Sequence, residues 1–505
     1  MRDRLELFST EEMSRADRLA VARDVTSREL MENAGAAVAK AAQSLLAELA
    51  ASRQGALTVL VICGRGANGG DGFVAARLLS EMGYLVRVAL LGSITQLRGD
   101  AAMAAADWQG AIEVAGPDSL NPPVDLIIDA ILGAGLKGTL SDDCATLISA
   151  INGSQRRVLS VDVPSGLDGT RGSIASTAVE ALETVTFVRR KPGHLLLPGR
   201  LACGKVTVAD IGMPESVVAE IDARTFGNEP DLWLRQFPRE RVDQHKYDRG
   251  HAVVVAGAPE NGGAARLGAR AALRVGAGLV TLVAAPEAVP INACHLNAIM
   301  VRTYDGAFGL GKILADHRKN AVLIGPGLGV DDQSFELTLT SLRSNAAVVV
   351  DADAISSAAL DTPRFFDGIK RSAMRPVVLT PHEGEFSRLF PGLAGSKLER
   401  ARAASALSGA IVVLKGPDTV IAEPAGRAAI NHNAPPSLAT AGSGDVLAGM
   451  ITGLLAQGMP AFEAAASAVW MHGEAAKEFG RGLISEDLPE MLPRVLRRVD
   501  EAAAR

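Results

Sequence analysis

The stretch CGRGANGGDG, Cys63 to Gly72, follows the apolar run ALTVLVICG and leads into FVAARLLSEMG. A strand that passes through glycines into a helix leaves backbone N–H groups free to cradle a phosphate. Gly64, Gly66 and Gly69 spell the G-x-G-x-x-G of dinucleotide-binding loops. That fold also wants an acidic residue about 20 positions on, at the end of the second strand, to hold the ribose hydroxyls. The next strand here, YLVRVALLG, has none, so a hydride-transferring dehydrogenase is not expected. Asn68 and Asp71 instead add side-chain oxygens suited to a cation or a substrate hydroxyl.

Other strand ends carry similar chemistry. IIDAILGAGLKGTL places Asp129 at the end of a strand and runs into the glycine-rich Gly133–Thr139, while SVDVPSGLDG places Asp162 before Pro164, Ser165 and Gly166. Ligands of open parallel sheets bind at the carboxyl ends of strands, so Asn68, Asp71, Asp129, Asp162 and Ser165 share one rim. In the second half, ATAGSGDVLAGMI sets Gly442, Gly444 and Asp445 just before an apolar helix. Glycines there let N–H groups approach a phosphoryl group, and an Asp can take the proton of an attacking hydroxyl. LIGPGLG (Gly325–Gly329), LTPHEGEF (His382, Glu383, Glu385) and VLKGPDTVI (Lys415, Gly416) each follow or end a further strand.

The elements that must hold these residues are legible in outline. A chain of 505 residues is expected to form two or three domains. Hydrophobic residues make up 48%, aromatics only 4%, and there are 52 glycines, which suits close helix-on-sheet packing. The net charge of −6 and the lack of a basic run speak against nucleic acid as a partner. Cys63, Cys144, Cys203 and Cys294 form no C-x-x-C pair, which argues against a zinc site and fits a reducing compartment. The charged start MRDRLELFSTEEMSRADRLA lacks a signal-peptide core, and the apolar runs are strand-length. A cytoplasmic protein with no membrane association is expected.

Ser9-x-x-Glu12 and Thr26-x-x-Glu29 read as capping boxes that start helices. Strand, loop and helix then alternate as far as GKVTVADIG. The charged, proline-bearing stretch at 214–250 reads as a junction, after which the β/α rhythm restarts with HAVVVAGAP and closes on a long apolar helical region. Alternating β and α with apolar strands predicts an α/β protein built on mostly parallel sheets. We divide it into residues 1–220 and 221–505.

LMENAG, GANGGDGFVAARLL, DAILGAGLKG and VDVPSGLDG, in that order, resemble the YjeF N-terminal domain, the NAD(P)H-hydrate epimerase. The resemblance covers about the first 215 residues. It implies a Rossmann-like three-layer fold and a substrate that is hydrated NADH or NADPH. It implies a potassium ion held by Asn68, Asp129 and Ser165. It further implies substrate contacts from Ala67, Asn68, Gly69, Gly70 and Asp71, from Gly133, Ala134, Gly135, Leu136, Lys137, Gly138 and Thr139, and from Asp162. Epimerising a carbon that bears OH beside a ring nitrogen needs proton transfer. Asp162 and Lys137 are the candidate catalytic groups, with acid and base unassigned between them.

GAARLGARAALRVGAGLVTL, GPGLG, VVDADAI, TPHEGEF, LKGPDTV and AGSGDVLAG resemble the YjeF C-terminal domain, the ADP/ATP-dependent NAD(P)H-hydrate dehydratase, over roughly residues 235–500. This implies a ribokinase-like α/β fold. It implies nucleotide contacts from Lys415, Gly416, Pro417, Asp418, Thr419 and Gly444, and hydrated-substrate contacts from Ala264, Gly327, His382 and Asp445. Phosphorylating the ring hydroxyl with ADP or ATP and magnesium would make it a good leaving group, with Asp445 as the catalytic base. The chain is thus expected to be a bifunctional nicotinamide-nucleotide repair enzyme and a homo-oligomer. The alternative is a ribokinase-class small-molecule kinase fused to a Rossmann-like regulatory or binding domain.

Overall fold

The computed structural model describes residues 5–50, 55–135, 138–371 and 375–504. Leu136 and Lys137 of the expected epimerase loop lie outside the described residues. The chain forms two compact units, one of Glu6–Thr225 and one of Phe226 onward together with Leu5.

In the first unit β1 (Thr58–Cys63), β2 (Leu85–Leu90), β3 (Ile112–Val114), β4 (Leu126–Ala130), β5 (Arg157–Val161), β6 (Glu183–Phe187) and β7 (Lys205–Ala209) form one sheet in the order β3-β2-β1-β4-β5-β6-β7. Every neighbouring pair is parallel. The central strands are near-continuous apolar runs because helices cover both faces. The strand order reverses between β1 and β4, which opens a crevice at their carboxyl ends. Two helix contacts shape that crevice. Helix Ser27–Ala50 lies close over helix Ala67–Glu81, where a Cβ on Gly35 would stand 2.4 Å from Val74 Cγ1. Helix Thr10–Val21 begins with the expected capping box, Glu12 N donating to Ser9 Oγ at 3.2 Å and Ser9 N to Glu12 Oε2 at 2.7 Å. Thr10 Oγ1 then donates to Ala134 O at 2.8 Å, which ties this helix to the loop after β4.

The second sheet contains β8 (Thr225–Gly227), β9 (His251–Val255), β10 (Leu279–Ala284), β11 (Met300–Thr303), β12 (Ala321–Ile324), β13 (Ala347–Val350), β14 (Val377–Leu379), β15 (Ile411–Leu414), β16 (Val420–Ala422) and β17 (Ala428–Ile430). Their order is β11-β10-β9-β12-β13-β14-β15-β16-β17-β8. The strands from β11 to β15 pair in parallel, and β15-β16-β17 are antiparallel. Helix Ser443–Ala456 packs on helix Gly262–Arg274 glycine to glycine, since a Cβ on Gly449 would meet Gly268 O at 2.1 Å. The segment read as a junction is structured in part. Val217, Val218 and Ile221 of helix Glu215–Ile221 are buried in the first unit, and Trp233 is fully buried in the core of the second, 5.7 Å from the Trp470 ring. No helix among the described residues is long and apolar enough to cross a membrane.

Candidate active sites

In the first unit the loops after β1, β4 and β5 line a cavity of about 580 Å³. Gly66, Ala67, Asn68 and Asp71 reach it from the opening loop and its helix, Gly133, Ala134 and Gly135 from the loop after β4, and Asp162 from the end of β5. Gly69 and Gly70 do not line it. A Cβ on Gly69 would meet Gly64 O at 2.0 Å and one on Gly70 would meet Met31 Cε at 2.5 Å, so Gly69 serves close backbone packing and Gly70 leaves room for the Met31 side chain. Gly138 and Thr139 are exposed and also stand outside the lining. Gly64 is held to its type most tightly, because a Cβ there would stand 1.8 Å from Ile131 O.

Asp162 sits in the left-handed region at φ 65°, where a non-glycine residue is strained and often functional. Its Oδ1 accepts from Lys191 Nζ and, at 3.0 Å, from Thr186 Oγ1, while Oδ2 accepts from Ala134 N at 3.2 Å. Lys191 is 1% exposed and was not singled out in the sequence. The turn that delivers it starts at Val188, a β-branched residue at φ 62°. His194 fastens the arrangement: its Nδ1 accepts from Lys191 N at 2.9 Å, which leaves the proton on Nε2, 3.0 Å from Asp162 O. Burial and the Lys191 charge push His194 down to about 4, so the ring is neutral.

The carboxyl groups facing the cavity are shifted in opposite directions. Burial would raise Asp162, but Lys191 and its hydrogen bond outweigh this and hold it below the usual carboxylate range. Asp71 is pushed well above that range by burial and by the charges of Asp162 and Asp17. Asp17, on helix Thr10–Val21, also lines the cavity, and burial raises it to about 6 against the pull of Lys191. Asp17 lay unnoticed in SRADRLA, where nothing but the fold brings it to the strand ends.

Behind these groups Asp129 is fully buried. Its Oδ1 accepts from Ser165 Oγ at 2.5 Å and Ile131 N at 3.3 Å, and its Oδ2 from Ser160 Oγ and Ser165 N, both at 2.9 Å. Burial raises its pKa and these bonds partly offset the rise. Ser165 Oγ also lies 3.2 Å from Leu132 O, and Asn68 Oδ1 lies 3.2 Å from where a Cβ on Gly133 would stand. Among the described residues no group of three His, Cys, Asp or Glu could hold a metal ion. One buried carboxylate with serine hydroxyls and the Leu132 carbonyl oxygen close by is a donor set that fits a hard monovalent cation, not a transition metal.

In the second unit Lys415, after β15, donates from Nζ to Asp351 Oδ1 at 2.8 Å. Asp351, after β13, is 1% exposed and also accepts from Thr380 Oγ1, after β14, at 2.7 Å. Glu385 Oε2 lies 3.9 Å from the same ammonium. Gly442 at φ 85° turns the chain into helix Ser443–Ala456, and a Cβ on Gly444 would stand 3.3 Å from Lys415 Nζ. Asp445 in the first helical turn is pushed up to about 7 by burial and by Asp351, with Lys415 pulling the other way. Lys415 is raised: burial opposes its charge, but Asp351 and Glu385 outweigh that. The glycine turn after β12 packs backbone on backbone, since a Cβ on Gly257 would meet Gly327 O at 1.8 Å, and Gly329 N donates to Asp353 Oδ2 at 2.9 Å. Ala264 is half-buried on helix Gly262–Arg274.

His382 spends its Nδ1 capping helix Glu383–Leu389, accepting from Gly384 N at 2.9 Å, while its Nε2 lies 3.3 Å from Oε1 of the buried Glu385 and the side chain stays 56% exposed. The Lys415–Thr419 loop is a β-hairpin turn closed on itself by Thr419 Oγ1, which donates to Gly416 O at 2.7 Å. Lys397, unnoticed in the sequence, braces it: Nζ donates to Asp418 Oδ1 at 2.7 Å and to Lys415 O at 3.2 Å.

Each sheet thus gathers acidic and lysine side chains at its strand ends beside a helix N-terminus, the arrangement of a two-domain α/β enzyme. Residues 252–496 match the family described as NAD(P)H-hydrate dehydratase, and residues 27–193 the family described as YjeF-related protein N-terminus. The chain is 38% identical to the bifunctional NAD(P)H-hydrate repair enzyme of Moorella thermoacetica, over 98% of this chain and 97% of that one. It is 36% identical to the same-named enzyme of Coxiella burnetii, over 95% and 97%. A crystal structure of the Bacillus subtilis ADP/ATP-dependent NAD(P)H-hydrate dehydratase with ATP/Mg2+ is 29% identical, covering 54% of this chain and 98% of that one, with a TM-score of 0.47. The chain belongs to the family of bifunctional NAD(P)H-hydrate repair enzymes.

Proposed function

We propose that the chain repairs hydrated NADH and NADPH at two sites: epimerisation in the cavity of residues 6–225 and ADP- or ATP-driven dehydration around Asp445. For the first site the supporting observation is a set of carboxyl groups tuned apart in one cavity, Asp162 held below the usual carboxylate range by Lys191 and Asp71 pushed well above it by burial. Such splitting marks acid–base pairs. Opening the carbinolamine centre removes the hydroxyl proton while the C–N bond breaks and nitrogen takes a proton. Reclosure on the other face inverts the carbon. Asp162 is the base and Asp71 the acid in this reading. Potassium beside Asp129, Ser165 and Asn68 would balance the buried charge of Asp129. The N–H groups at the start of helix Ala67–Glu81 suit the substrate's pyrophosphate.

At the second site Asp445 takes the proton of the ring hydroxyl as its oxygen attacks the terminal phosphorus and the bond to the nucleotide leaving oxygen breaks. The ring nitrogen then expels phosphate, and loss of a proton from the adjacent carbon restores the dihydronicotinamide. Lys415 and the N–H groups of Gly444 and its neighbours stabilise the phosphoryl charge. Magnesium, when bound with the nucleotide, would neutralise phosphate charge; it needs no all-protein cage. Ala264, Gly327 and the half-exposed His382 would contact the hydrated ring in this reading, and the Lys415–Thr419 loop the nucleotide. The four cysteines are free, which suits the cytoplasm.

The test is incubation of the purified chain with hydrated NADH and ADP or ATP. Dihydronicotinamide absorbance should return with release of phosphate, and the two hydrate epimers should interconvert on a chromatogram without nucleotide. A stable phosphorylated product with no NADH would favour a kinase instead.

A further inference from the structure

Resting on the reading of the first cavity as the epimerisation site, we propose that Arg65 binds the 2′-phosphate of the substrate's adenosine half, so that hydrated NADPH is the preferred substrate there. β2 ends in Leu90 and continues Leu91, Gly92, Ser93, with no carboxylate to hold free ribose hydroxyls. Arg65 follows β1 and lines the cavity. Its stem lies on the end of β2, because a Cβ on Gly92 would stand 2.9 Å from Arg65 Cδ and 3.3 Å from Cγ. Gly92, at φ 112°, therefore both turns the chain and leaves room for the arginine. The guanidinium makes no hydrogen bond or ion pair among the described residues, and Asp100, which lines the same cavity, is not paired with it. The hydroxyls of Ser93 and Thr95, 3.0 Å apart, lie exposed just beyond Gly92.

Sheet order sets the direction of the ligand. β2 flanks β1 on one side, while β4, β5 and β6 lie on the other. A dinucleotide across this crevice with its nicotinamide at Asp162 and Lys191 has its adenosine ribose at the end of β2. A carboxylate at that place selects the free 2′-hydroxyl; an arginine accommodates the 2′-phosphate, whose oxygens match the guanidinium fork.

The experiment measures kcat/KM of epimerisation for hydrated NADH and hydrated NADPH, with the unmodified chain and with Arg65→Gln. A second arm measures binding of adenosine 2′,5′-bisphosphate against AMP. The unmodified chain is expected to favour hydrated NADPH by about tenfold, the size of one charge-assisted contact. Arg65→Gln should erase that preference, leave hydrated NADH within about twofold and weaken only the bisphosphate. Added salt should shrink the preference. Equal turnover of both hydrates by the unmodified chain, or equal loss on both in Arg65→Gln as expected of a pyrophosphate contact, would overturn the proposal. A chain that epimerises neither hydrate would instead remove the underlying reading, and the binding arm would still decide whether Arg65 selects the 2′-phosphate.

Discussion

Lys415 Nζ donates to Asp351 Oδ1 across 2.8 Å, and the pair faces the helix N-terminus that carries Asp445. Burial and the Asp351 charge raise Asp445 to about 7, while Lys415 pulls it down. If Asp445 is the base, dehydration should rise with pH through about 7 as the carboxylate forms. Asp351→Asn removes a raising charge and should move that acid limb to lower pH. The measurement is a kcat/KM profile followed by dihydronicotinamide absorbance. An unmoved limb would detach the limb from Asp445.

Asp445→Asn should lower dehydration by about 10²–10⁴-fold, the usual cost of losing a general base. Epimerisation should persist. The same variant carries a stability signature. Asp445 is raised from an ordinary 3.8 to about 7, so between those values the folded chain holds a proton that the unfolded chain has released. Stability attributable to this group therefore falls as pH rises across that window. Thermal melts should show Asp445→Asn more stable than the parent at pH 8, with the advantage shrinking toward pH 5.

Lys191 is 1% exposed and paired to Asp162. Lys191→Met leaves a carboxylate without its counter-charge and should cost about 3–5 kcal/mol in urea unfolding of the first unit. Epimerisation should be lost. Adding Asp162→Asn should restore much of the stability but none of the activity, since a structural pair alone would be replaceable by neutral groups.

Potassium should raise the epimerisation rate over sodium-free, potassium-free buffer, and Ser165→Ala should blunt that response because it removes an oxygen 2.5 Å from Asp129 Oδ1. Dehydration, assayed on the pure substrate epimer, should not respond to Ser165→Ala. Anomalous scattering from thallium soaked into crystals would show whether a cation stands beside Asp129.

A buried parallel strand needs an unbroken apolar run, and a strand-to-helix turn needs glycine, so the central strands, the opening loop and the Gly442–Asp445 helix entry were legible from local pattern. Asp129 and Asp162 were legible for the same reason, standing at the ends of such runs, and Asp445 because it follows the glycines of the helix entry. The Ser9–Glu12 box was also local, and it formed. The three-residue edge strand Ile112–Val114 carried no such pattern, since an edge is only partly covered.

Tertiary structure decided which of these residues meet. Asp17 and Lys191 lie on a helix and a turn far apart in sequence, and only the docking of Thr10 on Ala134 and the bend at Val188 bring them to Asp162. It also decided that Gly69 and Gly70 face backbone and Met31 rather than the cavity. The protonation states belong to the fold as well. A side chain's charge depends on burial and on neighbours a few ångströms away, so the split between Asp71 and Asp162, and the rise of Asp445, exist only once the sheets have placed lysines and carboxylates side by side.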